Sequence, residues 1–147
     1  MSLSALLAHE CGSIKVYYDS CSGNPCKEFD NVGTLAIIGG LGNEEPTKAP
    51  PETTHVVLPV YKYEHGGVAY STKPFPCPWD SGLVGYIHAP KNFEGMSDDQ
   101  IRGNLIAELA IFSAWANGEV YGYINEETGD SCWGFYSVDD ALEEAGV

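Results

Sequence analysis

Two short segments concentrate the residue types that do chemistry. Pro74-Phe-Pro-Cys-Pro-Trp-Asp-Ser-Gly82 gathers Cys77, Trp79, Asp80 and Ser81, and Gly129-Asp-Ser-Cys-Trp-Gly-Phe-Tyr136 gathers Asp130, Cys132 and Trp133. A thiol becomes a nucleophile when a neighbouring base takes its proton. Cys132 with His65 or His88 is therefore the candidate catalytic set for a cysteine-dependent hydrolase. Trp79, Asp80, Ser81, Asp130 and Trp133 offer a second chemistry, an aromatic wall whose polar groups fix a small ligand in a pocket between the segments 74–82 and 129–136. A structural role is simpler for both. Free cysteine usually packs as a small hydrophobe, and Asp-Ser-Gly after three alternating prolines is a natural turn. On that reading Trp79 is tucked into a core, and the two segments are paired corners of one aromatic cluster.

The catalytic set lacks coherence. Cys132 lies in a strand-like pattern rather than at a helix N-terminus, which is what lowers a thiol pKa. Fifteen residues follow it and none is histidine. Papain-type proteases carry a similar Gly-Ser-Cys-Trp stretch, but theirs precedes the histidine by roughly 130 residues or more. Asp80, Cys77, Asp130 and His88 form a looser mixed set with no spacing rule behind it. Cys11, Cys21 and Cys26 supply three thiolates without an evident fourth ligand, and Cys21-Ser-Gly-Asn-Pro-Cys26 reads equally as a turn. Gly39-Gly-Leu-Gly42 lacks the helix and Lys-Ser/Thr of a phosphate loop. No metal site and no cofactor are assigned.

Charge narrows the partners. The chain has 21 acids against seven bases, a net charge of −14. Residues 1–93 hold nine acids and six bases, whereas 94–147 hold twelve acids and Arg102 alone. Direct binding to a nucleic-acid backbone is excluded, because counterion release needs Lys and Arg. A basic protein partner, or mimicry of a polyanion, fits that balance; solubility together with acids at helix N-termini is the alternative reading, and the commoner one. The 147 residues with 44% hydrophobic content are expected to form one domain, 1–147. No apolar run reaches the roughly 20 residues of a membrane span. Met1-Ser-Leu-Ser-Ala-Leu-Leu-Ala8 lacks the flank and length of a signal peptide, and five cysteines, an odd number, favour free thiols. A cytoplasmic protein without a membrane partner is expected; the oligomeric state is open.

These residues must be positioned by elements that the pattern outlines. Ile14-Lys-Val-Tyr-Tyr-Asp19 and Val32-Gly-Thr-Leu-Ala-Ile-Ile38 read as strands. Residues 42–54, with three prolines, read as a flexible excursion. Residues 56–63 and 68–72 form a hairpin through His65-Gly66-Gly67, and 83–88 is another strand. The clearest helix runs over about 97–117: Ser97 and Gln100 make a capping box, and Ile101, Leu105, Leu109, Phe112 and Ala116 form an apolar stripe. Residues 120–124 and 132–136 make a second hairpin, and Ser137 caps a short C-terminal helix over 138–145. The expected fold is α+β: a single, mainly antiparallel sheet of about five to seven strands, with the long helix packed on one face.

Several stretches together resemble a known family. Asp30-Asn-Val-Gly-Thr34, Tyr63-Glu-His-Gly66, the 74–82 segment with Val84-Gly-Tyr-Ile87, Glu119-Val-Tyr-Gly-Tyr123 and Asp130-Ser-Cys-Trp-Gly-Phe-Tyr136 are similar to a family of small acidic proteins of bacteriophages and mobile elements. The likeness covers roughly 30–136. It departs at Glu64-His65, where Asp-His is commoner, and at Ser137, where Gly often stands. The family has no assigned activity and so implies a setting, an accessory protein in a bacterial host's cytoplasm, and no catalytic residues. The leading expectation is a non-enzymatic accessory protein that binds a host or phage protein through an acidic surface, with anti-defence DNA mimicry as a sharper form. The alternative is the small-ligand binder or Cys/His-dependent hydrolase described above.

Overall fold

The structure, a computed structural model, describes residues 6–147; the first five residues of the stretch behind the signal-peptide reading lie outside them. In chain order the first half gives β1 (Leu7–Cys11), β2 (Ile14–Tyr18), α1 (Pro25–Glu28), β3 (Thr34–Ile37), β4 (His55–Glu64) and β5 (Val68–Ser71). The second half gives β6 (Ser81–Pro90), α2 (Asp98–Ala116), β7 (Tyr121–Asn125), β8 (Ser131–Phe135) and α3 (Val138–Glu144). The chain divides into two compact units, residues 23–117 and residues 1–22 with 118–147.

The larger unit, 23–117, is an antiparallel sheet in the order β3-β6-β4-β5 with α2 on one face. The helix starts where its capping box demands. The Ser97 hydroxyl accepts from the Gln100 N–H at 3.2 Å, and the Gln100 side chain accepts from the Ser97 N–H at 2.9 Å. Ile101, Leu105, Leu109 and Phe112 are buried and pack against Leu35, Ile37, Val56, Val60 and Ile87, one helical stripe against one pleated face. Glu108 on α2 also accepts the backbone N–H groups of Val32 and Gly33, each at 2.8 Å, which fixes the loop entering β3. Gly85 is required by close approach: a Cβ there would lie 1.9 Å from the Ala36 carbonyl oxygen. The start of the 42–54 segment is tied down, with Asn43 and Glu44 donating to the Leu35 carbonyl.

The smaller unit is an antiparallel sheet in the order β1-β2-β7-β8. Its core is Ile14, Val16, Tyr121 and Ala141, flanked by Tyr123, Phe135, Val138 and Leu142. Thus α3 covers one face of this sheet. The Ser137 hydroxyl accepts from the Asp140 N–H at 3.0 Å and begins the helix.

The expected single sheet of five to seven strands is corrected to two separate four-stranded antiparallel sheets, and the described residues hold three α-helices rather than two. Propensity marks a segment as extended without naming its partner. β2 joins β7, in register from Ile14↔Asn125 to Tyr18↔Tyr121, so the two ends of the chain make their own sheet and leave β3 to β6 to theirs. Two short elements carry weak signals. β1 reads Leu-Ala-His-Glu-Cys, poor in β-branched residues, and α1 has four residues, begun by Pro25 and capped by the Asn24 side chain on the Cys26 N–H at 2.9 Å.

Candidate functional site

In the larger unit the hairpin turn after β4 meets the proline-stiffened segment 74–82. The Glu64 N–H donates to the Asp80 carbonyl at 2.9 Å. One carboxylate oxygen of Asp80 lies 3.1 Å from His65 Nδ1 and accepts from the Cys77 thiol at 3.8 Å. The Ser81 hydroxyl donates to the Cys77 carbonyl, and Tyr63 stacks against Phe75 at 5.5 Å between ring centroids. The structure therefore gathers His65, Cys77, Asp80 and Ser81, though not as a Cys–His dyad: the thiol hydrogen points to the carboxylate, and so does the imidazole. The His65 contact and the Glu64 N–H tie the segment to the turn, and the thiol contact closes the segment on itself. Trp79 is 91% exposed rather than tucked into a core, because the alternating prolines hold the backbone extended and carry its ring outward. Beside it lies an open groove lined by Lys62, Glu64, Trp79, Asp80 and Ser81.

His88 stands elsewhere, on the face of this sheet away from α2. Its Nε2 is 3.3 Å from Glu44 Oε1, and its ring meets His55 edge-on at 5.8 Å and Tyr86 at 5.6 Å. Sequence reasoning passed over His55, Tyr86 and Glu44. The signal that joins them is register: β4 and β6 pair Val57 with His88 and His55 with Pro90, which sets the two histidines diagonally across neighbouring strands.

The segment 129–136 belongs to the smaller unit and 74–82 to the larger. Cys132 is exposed on β8. Of the four histidines only His9 shares its unit, and His9 lies on β1, three strands away, or about 14 Å at the usual strand spacing. His65 and His88 belong to the larger unit. Trp133 lies flat over Gly122, whose absent Cβ would sit 2.0 Å from the indole, and its ring is 6.4 Å from that of Tyr17. It is 42% exposed. Asp130 ends the β7–β8 turn, its carbonyl accepting from the Asn125 N–H at 2.8 Å.

All five cysteines are free thiols. Burial, then the nearby Glu108 carboxylate, pushes the Cys26 thiol up to about 11, which disfavours the thiolate that metal ligation needs. Among the described residues no group of three or more His, Cys, Asp and Glu side chains is placed to hold a metal ion, and no helix is long and apolar enough to cross a membrane. No family model, no curated protein and no solved structure matches the chain.

Proposed function

We propose that the protein is a phage-type accessory protein that acts by binding a basic protein through its smaller unit. One observation carries this reading. The smaller unit holds ten acids and a single base, Lys15, whereas residues 23–117 hold eleven acids and six bases. The net charge is thus −9 in the smaller unit and −5 in the larger, although the smaller has the fewer residues. It is also kept where it opposes folding: Glu143 and Glu144 occupy the last turn of α3, which has no basic residue, although a helix C-terminus favours cations. Charge that works against its own helix is explained by a use outside the fold. The motif resemblance supports the setting in a phage or mobile element.

The test is capture of proteins from a bacterial host lysate on immobilised protein, in low and high salt. Capture that weakens steeply with salt, and weakens again when Glu127, Glu143 and Glu144 are changed to glutamine, supports the reading. Salt-insensitive capture that ignores those changes overturns it. In the DNA-mimic form, double-stranded DNA must also displace the captured protein.

A further inference from the structure

The face of the smaller sheet away from α3 has an order of its own. Register sets Leu7, Tyr17, Gly122 and Trp133 in one row across all four strands, with Glu10, Lys15, Ile124 and Ser131 in the next. The first row spans three strand spacings, about 14 Å. Leu7 is 50% exposed and Trp133 42% exposed, and Trp133 stands on β8, an edge strand. Gly122 lets the indole lie flat rather than stand upright. The result is an aromatic platform, half-exposed, on the sheet face away from α3.

Charge identifies what fits it. The one base of this unit, Lys15, is in the second row and already held by Glu126 at 3.1 Å and Glu10 at 3.7 Å. A second copy of the chain would bring a second strongly anionic unit to the same place and be repelled. A purely aliphatic partner would leave the field unanswered. A planar guanidinium answers both features: it stacks on an indole face, which a compact ammonium does less well, and it carries the positive charge that a unit of ten acids and one base attracts.

We propose that the Trp133–Tyr17 platform is a docking site for an arginine side chain on the basic partner, with Trp133 as its anchor; this rests on the acidic-surface reading above and names the chemistry that reading leaves general. The probes are fluorescein-labelled peptides of alternating arginine and valine, with lysine and citrulline counterparts of equal length, titrated into the intact protein by fluorescence anisotropy. The arginine peptide binds about tenfold tighter than the lysine peptide, and the citrulline peptide does not bind. Trp133→Gln erases the arginine preference, and Gly122→Ala reduces it by pushing the indole aside. If circular dichroism shows that either variant of the smaller unit unfolds, the unaltered protein decides: the Trp133 indole N–H resonance, assigned by its loss in Trp133→Phe, must shift as arginine peptide is added. Equal affinity for arginine and lysine peptides, or an unmoved indole resonance, overturns the platform and leaves the acidic-surface reading standing. Failure of both cationic peptides to bind at low salt overturns that reading and the platform with it.

Discussion

Replacing Glu143 and Glu144 with glutamine should make the protein more stable while weakening it as a binder. Both carboxylates sit in the last turn of α3, at the negative end of the helix dipole and with no base in that turn. An ill-placed charge at a surface helix end costs about 0.3–1 kcal/mol. Neutralising two, and lowering the repulsion within a unit of ten acids and one base, is worth on the order of 1 kcal/mol. For a chain of 147 residues that is a rise in Tm of about 2–4 °C. Thermal unfolding followed by far-UV circular dichroism reads it directly. The gain should shrink in about 1 M salt, where the Debye length falls to about 3 Å. A double variant with unchanged or lower Tm at low salt, or a gain indifferent to salt, would refute the reasoning that these charges are held against the interest of the fold.

Three further outcomes follow from particular contacts. Glu108→Ala strands the Val32 and Gly33 N–H groups that it satisfies at 2.8 Å, and should cost about 2–4 kcal/mol in urea unfolding; a loss below about 0.5 kcal/mol contradicts the role given to that carboxylate. Gly85→Ala sets a Cβ against the Ala36 carbonyl and should cost at least about 2 kcal/mol, a result that unchanged unfolding would exclude. Alkali should destabilise the fold and unmask Cys26. Its thiol titrates near 11, above the ordinary 9.0, so between those values the native state holds more protons than the unfolded chain and stability falls as pH rises. The phenols of Tyr121, Tyr123 and Tyr136, each raised chiefly by burial, extend the loss above pH 10 in the same direction. Iodoacetamide at about pH 8 should accordingly modify exposed Cys21 and Cys132 first and Cys26 last, and early modification of Cys26 would contradict its burial.

Most elements were legible because their signals are local. The capping box at Ser97 and the stripe from Ile101 to Phe112 are written in consecutive residues, and so are the Gly66 turn and the Ser137 cap. Pairing was not, because nothing local tells β2 that its neighbour is β7 at the far end of the chain. The same limit governed the site. Pro74, Pro76 and Pro78 announce a stiff segment but not its direction, and Trp79 turned out to face solvent. Asp80 was readable as a turn carboxylate, whereas its meeting with His65 needed the hairpin to fold back on it. Trp133 was singled out for its motif; its place over Gly122 and beside Tyr17 exists only in the register of three strands. The charge asymmetry was visible in the composition of 94–147, but the fold divides that stretch, placing 94–117 in the larger unit and joining 118–147 to residues 1–22.

The most direct test of the account follows one interaction across salt. The partner captured from lysate is purified and titrated into the intact protein from about 50 to about 500 mM salt, a range over which the Debye length shortens from about 14 to about 4 Å. The account predicts a steep fall in affinity with salt for the unaltered protein, and a weaker, flatter dependence when Glu127, Glu143 and Glu144 are glutamine. Affinity that is constant across the range, and identical in the variant, would contradict it.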